Sequence, residues 1–277
     1  MNNIVGNNRV AVINDMSGIG KCSLTVAIPI FSCLKLTPCP FPTAILSSQT
    51  GYPEFTFLDF TEEMINYEKV WDNLQLKFKG IHTGFLGSEK QIDIVENFIK
   101  KHEESLVLVD PVMADNGSIY GTYTESMCNK IKNLVSFADV VTPNATESLI
   151  LANENYKDYI CDPEHFKDIA KKISNMGPEK VVITGIIEGD MISNLAYDRT
   201  EDRTFIATSK YNKTSYSGTG DIFSSILCGM LLNGFDLEKS VKKATDFIYK
   251  TIQYTSKFEI DTNDGIMFEA FLKELIL

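Results

Sequence analysis

SGTGDIFSS, residues 217–225, is the stretch on which the reading of this chain turns. It runs directly into ILCGMLL, so a glycine-rich turn opens a helix that is apolar nearly all round. Gly218 and Gly220 free consecutive amides to point one way at a helix N-terminus, which makes an anion site without any basic side chain. Asp221 enters the first turn of that helix and faces the same space. A carboxylate beside an anion hole suits removal of a proton from a hydroxyl while negative charge builds on a transferring phosphoryl group. Taken alone, the same residues also describe a plain helix cap, so the rest of the chain has to decide.

A second glycine-rich stretch, NDMSGIGKCSLT at 14–25, imitates a phosphate loop and is not one. Asp15 holds the place of the leading glycine and Cys22 the place of the magnesium-binding Ser or Thr. The dinucleotide pattern also fails, because Ser23 stands where a third glycine belongs. This turn therefore reads as strand-to-helix packing at Gly18 and Gly20, with Asp15 turned toward an acceptor, Lys21 solvated, and the phosphate machinery most of the sheet's width away.

Between these two stretches short apolar runs alternate with amphipathic helices. RVAVI (9–13), GIHT (80–83), LVLV (106–109), ADVV (138–141) and KVVI (180–183) are short and mostly apolar, as strands buried on both faces of a parallel sheet are. Ser88 with Gln91 predicts a capping box ahead of an apolar stripe at Ile92, Val95, Phe98 and Ile99. Gly234 predicts the end of one helix. Asp236 caps the next, whose buried face is Leu237, Val241, Ala244, Ile248 and Ile252. Pro29 predicts a kink or break in the helix after Lys21. Residues 43–60 mix strand-like runs with a Gly-Tyr-Pro turn and predict a flap; residues 192–208 predict a hairpin around Asp198–Asp202. No repeat, low-complexity tract or long linker divides the 277 residues, which predicts one domain over 1–277.

In an open parallel sheet ligands bind beyond the carboxyl ends of the strands. Those ends read Asn14-Asp15, Thr83-Gly84, Asp110-Pro111, Thr142-Pro143-Asn144 and Thr184-Gly185, so polar groups collect along one crest. DPVMADNGSIYG (110–121) adds Asp110 and Asp115, and TPNATE (142–147) adds Asn144 and Glu147, hard oxygen donors that suit magnesium together with phosphate oxygens. Asp115-Asn116-Gly117 also reads as a simple turn. A net charge of −11 argues against a nucleic-acid footprint, and an anionic ligand has to be met locally by a cation or by amides. Six cysteines without CxxC spacing read as reduced thiols. Three histidines and no GxSxG leave little for a serine-type triad. With no charged, apolar leader at the start and no long apolar run, the expected setting is the cytoplasm, away from membranes.

In order, NDMSG, QTGY, HTGF, DPVMAD, TPNATE, VVIT and SGTGD resemble the ribokinase-like superfamily and, within it, the pyridoxal/pyridoxamine kinases, over roughly residues 9–255. The resemblance implies an α/β three-layer sandwich with a central, mostly parallel sheet and a small flap or lid after Pro111. It implies ATP, Mg2+ and a monovalent cation such as K+, with phosphorylation of the 5'-hydroxyl of a vitamin B6 vitamer by a homodimer. On that reading Asp221 is the base and the amides of Gly218, Thr219 and Gly220 form the anion hole. Asp110, Asp115 and Glu147 organise cation and phosphates, Asn144 reaches the phosphates, and Thr142, Thr184 and Gly185 lie around the nucleotide or the monovalent cation. Asp15, Thr50, Tyr52 and Phe85 surround the ring. Asp15 where those kinases often carry Ser, and Gln49 where they carry His, also resemble the hydroxymethylpyrimidine kinases. A carrier that holds the vitamer without phosphorylating it would need neither base nor cation site.

Overall fold

The computed structural model describes residues 8–157 and 162–277. Residues 1–7, part of the start read above as leaderless, and Cys161 lie outside them. Eleven strands and eight helices are found among the described residues. In chain order the strands are β1 (Arg9–Ser17), β2 (Thr37–Leu46), β3 (Phe57–Asp59), β4 (Gly80–Thr83), β5 (Leu106–Val109), β6 (Ala114–Asp115), β7 (Ser118–Ile119), β8 (Val140–Val141), β9 (Lys180–Glu188), β10 (Met191–Asp198) and β11 (Arg203–Lys210). The helices are α1 (Ser23–Cys33), α2 (Thr61–Asn73), α3 (Glu89–Lys101), α4 (Glu125–Val135), α5 (Ala145–Leu151), α6 (Pro163–Ser174), α7 (Thr219–Leu232) and α8 (Leu237–Thr255).

Nine strands make one sheet in the order β11-β10-β9-β8-β5-β4-β1-β2-β3. The run from β9 to β2 is parallel, and antiparallel pairs close both edges. Val10 and Val12 pack under α1, α7 and α8, whereas Ala11 and Ile13 join the core beneath α2 to α6. Alternate residues of one strand thus feed two cores, and the result is the three-layer ribokinase-like sandwich.

Several local expectations change. β2 contains Pro38, Pro40 and Pro42, which hid it from a propensity reading. All three share one parity, while Thr37 and Phe41 belong to the other; β3 pairs only with Ala44–Leu46, so the missing N–H groups face a side with no partner strand. α1 continues through Pro29 undivided. At α3, Ser88 caps Gln91 N–H, but the Gln91 side chain turns away to Gly87 N–H, Thr43 C=O and Thr61, so the box is half formed. Gly234 at φ 82° and the Asp236 cap behave as read, and β10–β11 is the hairpin expected at 192–208. The cysteines among the described residues are all free.

Candidate active site

Asn14 lies within β1, where its register against β2 shifts before the strand runs on to Ser17, and it is the residue through which the sheet meets Asp221. Its Nδ2 donates to Asp221 Oδ1 at 2.9 Å, and its Oδ1 accepts from Phe85 N–H at 2.9 Å. Gly84 is needed beside it, because a Cβ there would lie 2.3 Å from Asn14 Nδ2. Gly218 is left-handed at φ 76°, and a Cβ on it would fall 1.8 Å from the Lys21 carbonyl. The opening turn and the SGTGD turn are therefore in contact, which corrects the separation inferred from sequence. Lys21 is also not simply solvated: it donates its N–H to Asp264 C=O and pairs with Glu269 at 3.2 Å.

Burial pushes the Asp221 carboxyl up to about 6, with Ser23 N–H pulling it back, Asp15 pushing it further up and Asn14 again lowering it. That midpoint suits a base which must be ionised near neutrality yet able to hold a proton. Asp15 is 7% exposed, and both its oxygens are engaged: Oδ2 by Ser17 Oγ at 3.0 Å and Oδ1 by Ser23 Oγ at 2.5 Å. Burial raises it as well.

Asp110, just past β5, sits between Thr83 and Thr142 at the ends of the neighbouring strands; the Thr83 hydroxyl is buried without a partner, and the Thr142 hydroxyl lies beside the Asp110 carboxyl. Burial, then the charges of Glu147 and Asp221, hold the Asp110 carboxyl well above its usual range. Asn144 and Glu147 supply the reciprocal capping box of α5, and Glu147 Oε1 also accepts from Met113 N–H at 3.0 Å. Glu147 thus anchors the segment after Pro111, and Asn144 Nδ2 holds it again at Ala114 C=O. Asp115 is exposed on the β6–β7 hairpin, whose Asn116 and Gly117 both have positive φ. Tyr120 follows that hairpin, close enough to feel Glu147, Asp115, Asp110 and Asp221 after burial itself raises its hydroxyl. The sequence reading passed over this tyrosine. Among the described residues no three His, Cys, Asp or Glu side chains form a ready metal cluster.

Asn144 and Thr184 are joined by a single parallel bridge, which brings the TPN turn beside Gly185 at φ 71°. A Cβ at Gly185 or Gly220 would meet no atom within 4 Å, so both glycines border open space on the nucleotide side expected from sequence. Thr219 Oγ1 is turned to Tyr216 C=O at 3.2 Å, which leaves its amide as the group facing the turn.

On the acceptor side Thr50 is exposed, while Tyr52 and Phe85 are half-buried. Tyr52 Oη donates to the Asp264 carboxylate, which is the main reason its hydroxyl is pushed up to about 12. Gln49 Nε2 reaches Asn263 Oδ1 at 3.0 Å and Ser217 Oγ at 3.2 Å. A strap at 261–265 therefore ties the flap, the opening turn and the SGTGD turn together; its TND core carried no signal that predicted so many long-range contacts.

The family model for phosphomethylpyrimidine kinase matches residues 31–267. The chain belongs to that family. It is a kinase of the group that spans pyridoxal and hydroxymethylpyrimidine kinases. A solved structure from Bacteroides thetaiotaomicron, described as a phosphomethylpyrimidine kinase and crystallised with pyridoxal, is 40% identical, covers 98% of this chain and 96% of its own, and superposes with a TM-score of 0.93. The hydroxymethylpyrimidine/phosphomethylpyrimidine kinase of Aquifex aeolicus is 28% identical over 180 residues, 65% of this chain and 69% of that protein. The pyridoxine/pyridoxal/pyridoxamine kinase of Bordetella avium is 27% identical over 254 residues, 85% of this chain and 81% of that protein.

Proposed function

We propose that this kinase transfers the γ-phosphoryl group of ATP to the 5'-hydroxyl of a vitamin B6 vitamer. The observation that carries the choice of acceptor is the pyridoxal held by a relative 40% identical over nearly the whole chain. Phosphoryl transfer needs positioning and charge stabilisation more than covalent chemistry. Asp221 takes the proton of the attacking hydroxyl, Asn14 orients the carboxylate, and the amides of Gly218, Thr219 and Gly220 receive the growing negative charge. Tyr52, Thr50 and Phe85 border the space for the ring.

Asp110 is a buried carboxylate held above its usual range with the Thr142 hydroxyl beside it, a hard-oxygen donor set that fits a divalent cation completed by phosphate oxygens. Asp110 and Thr142 would hold Mg2+, which neutralises phosphate charge, with Asp115 and Glu147 further out. Thr142 and Thr184 are the candidates for K+ contacts, and Asn144 and Gly185 for phosphate and nucleotide contacts. Phe55, Phe57 and Leu58, exposed at the β3 edge, support a homodimer. Among the described residues no helix is long and apolar enough to cross a membrane.

Hydroxymethylpyrimidine is the second reading, favoured by the family match and the Aquifex relative. It too presents a hydroxymethyl group on a heteroaromatic ring, so the same base serves. ADP release in the presence of Mg-ATP, with and without pyridoxal, tests the proposal. Release that rises with pyridoxal supports it; tight pyridoxal binding without ADP release would make the chain a carrier.

A further inference from the structure

Ser23 is the first residue of α1, and its backbone is left-handed at φ 52°, a conformation that strains a non-glycine residue. Glycine would remove that strain, so the side chain has to contribute something glycine cannot. Its Oγ donates to Asp15 Oδ1 at 2.5 Å, and the same twist turns its N–H to the Asp221 carboxylate. Asp15 is fixed from the other side by Ser17 Oγ at 3.0 Å, and its own N–H is held by Asn14 Oδ1 at 3.0 Å. Asn14 then completes the circuit at Asp221 Oδ1, 2.9 Å away. Gly218 closes against the Lys21 carbonyl, so the base turn rests directly on this structure.

We propose that the opening turn is the scaffold of the base: Ser23 and Asn14 are positioning residues for Asp221, and Asp15 acts through Ser23 as a buried anchor, not through contact with the acceptor ring. This rests on Asp221 being the base. An anchor inside the turn explains why a carboxylate is buried here with each oxygen accepting from a serine hydroxyl of its own loop. It also explains a strained serine at the start of a helix whose preceding residue, Cys22, offers no side-chain cap.

The test is a double-mutant cycle with Ser23→Gly and Asp15→Ala, read as separate kcat and KM values. Ser23→Gly keeps the amide and relaxes the backbone but removes the hydroxyl. Misplacing a base by a fraction of an ångström costs on the order of ten- to a hundredfold in turnover. Each single variant is expected to lose that much kcat with both KM values within about twofold of the parent, and the double variant to lose no more than the worse single. A Ser23→Gly variant with parental turnover, an acceptor KM raised about tenfold by Asp15→Ala, or losses that multiply would each overturn the scaffold. Asp15→Asn, which keeps the shape and drops the charge, provides a second reading through the carboxyl-carbon NMR titration of Asp221 in the ligand-free protein. The charged or titratable groups that face Asp221 are Asp15, Cys22, Asp110 and Tyr120. Removing the Asp15 charge moves the Asp221 midpoint down; an unmoved midpoint contradicts the coupling. Because this titration needs no acceptor, it separates failure of the scaffold from a chain that turns over no vitamer at all.

Discussion

With Asp221 as the proposed base, the pH dependence of turnover follows from its partial burial. A carboxyl with a midpoint of about 6 is roughly nine-tenths protonated at pH 5 and about one-hundredth protonated at pH 8. If proton removal by Asp221 limits the chemical step, kcat/KM with saturating Mg-ATP falls about tenfold from pH 8 to pH 5. An aspartate at its ordinary value near 3.8 would still be more than nine-tenths ionised at pH 5, and the rate would hardly change. The perturbation is Asp221→Asn, which preserves the contact with Asn14 and removes the base. Turnover should drop by roughly a hundredfold or more and the acid limb should vanish, with ligand affinities kept within a few-fold. The assay is coupled ADP release across pH 5–8 in a buffer of constant ionic strength. A parental profile that is flat over this range, or an Asp221→Asn variant within tenfold of the parent, would refute the reasoning.

Stability gives the opposite sign at the same crest. The Asp110 midpoint is higher folded than unfolded, so its contribution is fully present below the unfolded value and is lost as pH rises through the folded one. Asp110→Asn should therefore melt higher than the parent at pH 8 without magnesium, with the gap closing toward pH 4 and activity lost; calorimetry at the two pH values checks it. Gly218→Ala, with a Cβ 1.8 Å from the Lys21 carbonyl, should lose roughly 3 kcal/mol in urea unfolding, whereas Gly220→Ala, which meets no atom within 4 Å, should unfold like the parent and raise the KM for ATP. Tyr52→Phe removes the bond to Asp264, and should raise the acceptor KM severalfold while leaving the KM for ATP in place.

Much of this site is written in local patterns. The GTGD turn and the helix punctuation at Gly234 and Asp236 depend on neighbours a few residues apart, and the structure carries them as read. Two of the expected strand ends move, because β1 runs past Asn14-Asp15 to Ser17 and β9 past Thr184-Gly185 to Glu188. What escaped depends on distant partners. β2 is a strand because β1 pairs with one of its sides, and no propensity reading of three prolines anticipates which side. The capping box expected at Ser88 is complete instead at Asn144 and Glu147, because Gln91 finds partners at Thr43 in β2 and Thr61 at the start of α2, 48 and 30 residues away. Asn14 looked like the lesser half of Asn14-Asp15, yet across 207 residues of sequence it is the one that hydrogen-bonds the Asp221 side chain. The strap at 261–265 is invisible for the same reason, since its meaning lies in Gln49, Tyr52, Lys21 and Ser217.

The most direct test of the whole account is kcat/KM for pyridoxal, pyridoxamine and hydroxymethylpyrimidine measured side by side with Mg-ATP, with the phosphate located on the product by NMR. The account predicts that a B6 vitamer is the best of the three and carries the new phosphate on its 5'-oxygen. Preference for hydroxymethylpyrimidine, or a phosphate placed on any other oxygen, would contradict it.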